Sequence, residues 1–181
     1  MKAVRIHNHG GIEVLQVEEI PVPEPGPDQI CVHLKTSALN HLDIWVRNGI
    51  PGVPLPIIMG SDGAGNVCKV GTGVDRFKAG DPVIVQPLVY CNTCRNCQAG
   101  KENMCENMGI LGESTNGTNC EFIVLDKKCV QPNEELYKGI VFVFPLLSKI
   151  ELFFKLLDQD KNKIHDINLI QNTKAIQDID A

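Results

Sequence analysis

Apolar and polar side chains alternate over Lys2 to Ile6 and again over Glu13 to Glu19. A period of two sends successive side chains to opposite faces, so both segments predict half-buried strands, with Gly10-Gly11 turning between them. Pro21-Val22-Pro23-Glu24-Pro25-Gly26-Pro27 follows. Its four prolines remove amide donors from any ladder or helix, which predicts an extended surface connection. Gln29 to Ala38 reads as a further strand. At Asn40 the period changes: Leu42, Trp45 and Val46 recur at helical spacing, predicting a short helix over Asn40 to Asn48 with Gly49 where it stops.

Pro51, Pro54 and Pro56 break the chain before the apolar Ile57-Ile58-Met59. Gly60-Ser61-Asp62-Gly63-Ala64-Gly65 is glycine-rich enough to invite a phosphate-loop reading. Such a loop should open a helix, yet Asn66 to Val70 is strand-like, so the reading is set aside. Turns at Gly71 to Gly73 and Gly80-Asp81, a strand at Val83 to Gln86, and two more over Gly117 to Asp126 and Lys128 to Gln131 complete the pattern. Short strands every ten or so residues, punctuated by glycine and proline, predict a mainly β fold: a partly open β-barrel with short helices.

Beyond Leu136 the composition shifts towards Ile, Lys, Asn and Asp, and Gly139 is the last glycine. Ile140 to Leu157 is apolar enough to raise a membrane span. Lys149, Glu151 and Lys155 fall within it, and each charge at the centre of a span costs about 2.5 to 3.5 kcal/mol, so residues 137–181 are expected to be a helical tail that is buried or faces a partner. Asp158 to Asp166 faintly echoes a calcium loop but lacks its glycine and closing glutamate, and a solvated turn is the expectation.

Composition narrows the classes. A chain of 181 residues supports one core of ordinary size, and 43% hydrophobic with 22% charged residues suits a globular protein. A net charge of −5 with no basic cluster excludes a nucleic-acid footprint. Met1 to His7 lacks the apolar run of a secretory leader, so the eight cysteines are expected to be reduced and the location cytoplasmic. Cys31, Cys68, Cys120 and Cys129 lie in apolar or strand-like stretches and are expected to be small packing residues.

The other four carry the chemistry. Cys91-x2-Cys94-x2-Cys97 followed by Cys105 lets thiolates converge on one point while the backbone turns. Gln98 to Met104 has little apolar surface to order itself with, and fixing its backbone costs roughly 1 to 2 kcal/mol per residue. Structural zinc supplies about 10 kcal/mol or more. Arg95 and Lys101 stand where they could offset the negative charge of four thiolates around Zn²⁺. An iron–sulfur cluster is the other metal reading, but in ferredoxin-type runs the fourth cysteine follows after three residues and precedes proline, whereas Cys105 follows after seven and precedes Glu106. Four unligated thiols are the remaining alternative.

Taken with Gly11-Ile12-Glu13-Val14-Leu15, Pro21 to Gly26, Ala38-Leu39-Asn40-His41-Leu42-Asp43, Gly60 to Gly65, Gly80-Asp81 and Gly117-Thr118, the lobe makes residues 1–136 resemble the N-terminal GroES-like catalytic domain of the medium-chain dehydrogenase/reductase family. That family includes the zinc-containing alcohol dehydrogenases and quinone oxidoreductases. The resemblance implies a structural zinc on Cys91, Cys94, Cys97 and Cys105 in a lobe spanning residues 88–109. It also implies NAD(P) as cofactor and an alcohol, carbonyl or quinone as substrate.

Two departures from the family pattern matter. Asn40 stands where the alcohol dehydrogenases place a cysteine ligand of the catalytic zinc, and Ser61 where they place a histidine ligand. An amide and a hydroxyl hold Zn²⁺ poorly, so no catalytic zinc is expected. Asn40, His41, Asp43, Ser61 and Asp62 are expected instead to line a polar site that hydrogen-bonds a carbonyl or relays a proton. Asn40 as a helix cap and His41 as an exposed helical residue are the plainer readings. The second departure is that no glycine remains after Gly139 to build the Rossmann fingerprint of the family's cofactor domain. The leading expectation is therefore a truncated substrate-side domain, inactive alone. A zinc-stapled, non-enzymatic module that docks onto a partner or a copy of itself through its apolar tail is the alternative.

Overall fold

A computed structural model describes residues 1–133 and the two-residue strand Phe144–Pro145. Within the expected helical tail, Phe144–Pro145 is strand rather than helix, because it pairs antiparallel with Ser37 and Thr36; the rest of the tail and its calcium-like turn lie outside the described residues. Strand β1 (Lys2–Ile6) pairs antiparallel with β2 (Gln16–Glu19) and β4 (Ile57–Ile58). A second sheet runs in the order β10 (Val130–Pro132), β6 (Pro82–Val85), β5 (Asp62–Val70), β3 (Gln29–Ala38), with β9 (Phe122–Asp126) on the far side of β3.

Connectivity forces this sheet to curl. Its two flanking strands, β9 and β10, are separated by only the 3₁₀ turn Lys127–Cys129. Four residue steps reach at most about 14 Å, whereas five flat strands would set those edges about 19 Å apart. The result is the mainly β, partly open barrel that the strand spacing predicts. Its interior holds Ile30, Val32, Leu34, Val67, Val83, Val85, Ile123, Leu125 and Val130, all buried. A second cluster, Val4, Ile6, Leu15, Val46, Ile57 and Met59, seats helix α1 (His41–Asn48) against the β1 sheet.

Four expectations need correction. Ile12–Val14 is a 3₁₀ turn, because Val14 N and Leu15 N donate to Gly11 O and Ile12 O while the Glu13 carboxylate accepts from Gly11 N. Only Gln16–Glu19 of that stretch is strand. Trp45 does not join the apolar face of α1: it is 55% exposed, and the buried side runs through Asp43, Val46 and Arg47. Residues 117–119 are loop, since their amides go to the carbonyls of Ile58, Gly60 and Met59 at and just beyond the end of β4 without forming a ladder. Lys128 and Cys129 likewise sit in the turn held by Asp126 Oδ1, which accepts from Lys128 N at 3.0 Å.

The glycine run at Gly60 to Gly65 leads directly into β5, as expected from its strand-like sequel. Gly65 serves a packing purpose: a Cβ there would lie 2.1 Å from His33 O on β3. Among the described residues, no helix is long and apolar enough to cross a membrane.

Candidate functional site

The cysteine lobe rises from a two-stranded ladder in which β7 (Leu88–Val89) pairs with β8 (Gly109–Ile110). Between them a one-turn helix, α2 (Arg95–Gln98), and the 3₁₀ turn Glu102–Met104 fold back so that Cys91, Cys94, Cys97 and Cys105 converge. Their four sulfurs all lie within 4.8 Å of one another. Cys91 and Cys97 sulfurs are 4.0 Å apart, and those of Cys105 and Cys91 are 3.5 Å apart. A tetrahedron with Zn–S bonds of about 2.3 Å has edges of about 3.8 Å, so these separations fit a zinc-sized ion.

Backbone amides of Cys94, Cys91 and Asn107 point at the sulfurs of Cys91, Cys105 and Cys105, each at 3.3 Å. Such N–H groups favour thiolate over thiol. The Thr93 hydroxyl, with the backbone amides of Thr93 and Cys94, pulls the Cys91 thiol down to about 5. Burial has the opposite effect on Cys97, pushing it up to about 12. Arg95 and Lys101 are both exposed on the lobe's surface.

The second site forms where β3 ends and β5 begins, since Ala38 pairs with Asp62. Asn40 occupies the cap position of α1. The Asp43 carboxylate accepts from Asn40 N at 2.8 Å, and Asp43 N donates to Asn40 O at 3.0 Å. The Asn40 side-chain amide donates to Ser61 Oγ at 3.0 Å and to Asp62 Oδ2 at 2.6 Å. Asn40, Asp43, Ser61 and Asp62 therefore form one hydrogen-bonded cluster.

His41 stands apart from that cluster. It is exposed and meets the Trp45 ring edge-on at 4.7 Å.

Asp43 is 3% exposed, and burial raises its carboxyl to about 6, against the opposing pull of the Asn40 and Gly60 amides. Asn40 presents N–H groups to both its partners, and no thiolate or imidazole belongs to the cluster. Among the described residues, the four lobe cysteines are the grouping of His, Cys, Asp and Glu side chains that converges as a metal site does.

Sequence reading did not anticipate the loop beneath this cluster. Thr118 and Asn119 are buried; Thr118 Oγ1 donates to Asp62 O at 2.9 Å, and Ser37 Oγ donates to Asn119 Oδ1 at 2.9 Å. A Cβ on Gly60, whose φ is +92°, would come within 2.7 Å of both side chains. The only local signal was a polar pair inside a stretch otherwise read as strand.

Comparison with known proteins agrees with this architecture. Residues 26–135 match the alcohol dehydrogenase GroES-like domain. An alcohol dehydrogenase from Schizosaccharomyces pombe is 39% identical over 119 residues, 64% of this chain and 34% of the relative. An L-threonine 3-dehydrogenase from Saccharopolyspora erythraea is 34% identical over 125 residues, covering 67% of this chain and 36% of the relative. Among solved structures, an NAD-dependent alcohol dehydrogenase superposes with a TM-score of 0.71 at 48% identity, over 73% of this chain and 39% of that one. A cobalt- and zinc-bound thermostable alcohol dehydrogenase from Pyrobaculum aerophilum gives 0.68 at 36% identity, over 73% of this chain and 40% of that one. The chain thus spans about a third of the length of the curated relatives it matches. With the match covering well over half of its residues, this chain belongs to the alcohol dehydrogenase GroES-like domain family.

Proposed function

We propose that residues 1–136 are the substrate-side domain of a zinc-binding, NAD(P)-dependent oxidoreductase that acts on an alcohol, carbonyl or quinone without a catalytic zinc. The observation that carries this reading is the division of labour between the two sites: four sulfurs converge in the lobe, while Asn40, Ser61 and Asp62 meet with no soft ligand among them. The lobe cysteines would hold one structural zinc, leaving no open position for substrate. A reduced nicotinamide supplies the hydride when bound.

What this chain contributes is orientation and polarity. Ser61 Oγ accepts from Asn40, which leaves its hydroxyl hydrogen for a substrate oxygen. Asp43, buried beneath, fixes the Asn40 backbone. Asp62 fixes the Asn40 amide. His41, exposed on α1 and against Trp45, would exchange protons with water rather than join the cluster directly.

Metal analysis separates this reading from a zinc-catalysed one. The purified protein should carry one zinc per chain, lost in Cys97→Ser and unchanged in Asn40→Ala and Ser61→Ala. Amide shifts at residues 40–43 and 60–62 should follow titration with small ketones or quinones. Metal lost on changing Asn40 or Ser61, or ligand shifts confined to other regions, would sink the proposal.

A further inference from the structure

Cys31 on β3 and Cys68 on β5 belong to neither site, yet their sulfurs lie 2.8 Å apart. That is closer than the 3.5 Å between Cys105 and Cys91 or the 4.0 Å between Cys91 and Cys97 in the lobe. The register explains the approach. Cys31 faces Lys69 and Val32 faces Val67, so Cys68 is the extra residue of a β-bulge. A bulge turns its inserted side chain out of the regular alternation, and here it brings Cys68 onto its cross-strand neighbour. The Cys68 S–H also reaches Cys31 O at 3.2 Å, which fixes its direction.

The remaining two cysteines outside the lobe show nothing comparable: Cys120 and Cys129 direct their thiols to the backbone carbonyls of Gly117, Phe122 and Leu88.

We propose that Cys31 and Cys68 form a peroxide-sensitive dithiol that closes to a cross-strand disulfide, stapling the two strands whose other ends carry the Asn40 cluster. Cys68 is half-buried and Cys31 is 1% exposed, so a peroxide meets Cys68 first. The Cys68 sulfur attacks the O–O bond, becoming a sulfenic acid and releasing water from hydrogen peroxide or an alcohol from an organic peroxide. The Cys31 sulfur then displaces the sulfenic oxygen as water, its S–H proton leaving with that oxygen. In sum, two S–H bonds and one O–O bond break, one S–S bond and two O–H bonds form, and two electrons pass from the sulfurs to the peroxide oxygens.

Burial, with the hydrogen-bonded Cys68 thiol second, pushes Cys31 up to about 12. Cys31 therefore rests as the thiol, which makes closure of the disulfide the slower of the two steps.

The experiment treats the full, zinc-loaded chain with hydrogen peroxide, alkylates the remaining thiols and digests with trypsin. Cys31 and Cys68 fall in separate peptides, residues 6–35 and 48–69, and neither peptide contains a lobe cysteine. The expected product is these two peptides joined and two hydrogens lighter than their sum, absent from Cys31→Ser and Cys68→Ser. The oxidised wild type should melt at least about 5 °C higher than the reduced form, because the bond closes a long loop. Recovery of both peptides fully alkylated after peroxide would overturn the proposal. So would a disulfide joining either cysteine to the lobe. Because mapping is done on the wild type, the outcome stands even if a serine variant fails to fold.

Discussion

Asp43 shows how one buried carboxyl ties fold to pH. In the unfolded chain it titrates near 3.8, and in the folded one near 6 because burial disfavours its charge. Between those values the native state holds a proton that the unfolded state has released. Stability from this group is therefore fully present below 3.8 and lost as pH rises through about 6. The span corresponds to about 3 kcal/mol. Asp43→Asn removes the titration and keeps an acceptor for Asn40 N. The stability difference between variant and wild type, from urea midpoints, should shift by about 2 kcal/mol in the variant's favour between pH 4 and pH 6, the part of the span that falls in that window. A constant difference across that range would show that Asp43 does not titrate as placed. The residue types Asn40, Asp43, Ser61 and Asp62 were legible in the sequence, but their joining was not. It depends on contacts across about twenty positions, which local periodicity does not register.

At the scale of elements, the β3–β5 pair is the backbone of the domain, and Gly65 sets how closely its strands approach. A methyl at Gly65 would meet the His33 carbonyl and the Leu34 Cα, both backbone atoms that cannot step aside. Gly65→Ala should cost about 3 kcal/mol, at the upper end for overpacking, and lower the denaturant midpoint without changing metal content. The lobe is the opposite case, an element with four converging sulfurs in place of an apolar core. Cys97 and Cys105 are its buried sulfurs, while Met104 and Met108 are exposed. Removing the proposed zinc with a chelator should strip hydrogen-exchange protection from the amides of residues 88–109 while β3 and β5 keep theirs. Loss of protection throughout would mean that the barrel also depends on the lobe. The lobe was readable because its four cysteines fall within fifteen consecutive residues and their spacing is itself the geometric constraint. Cys31 and Cys68 were not: read separately they are two small strand residues, and only the bulge brings them together.

At the scale of the whole molecule, two clusters divide the apolar residues among those described: the barrel interior and the seat of α1. The candidate site lies where α1 meets the start of β5, so its polar groups are held by both. Hydride transfer requires a nicotinamide held against the substrate. As the substrate-side domain proposed above, the purified 181-residue protein should show no NAD(P)H consumption with aldehydes, ketones or quinones, and robust turnover would refute that expectation. By itself the sequence determined what depends on near neighbours: the strand periods, the helix stopped by Gly49, the glycine run leading into a strand, and the sulfur spacing of the lobe. The tertiary structure decided what depends on distant ones. It turned Trp45 outward, sent the amides of residues 117–119 to the carbonyls around Gly60, buried Asp43, and set Cys68 against Cys31. The physical reason is that backbone hydrogen bonds and buried charge are settled by whichever partner the fold supplies, and such partners can stand anywhere along the chain.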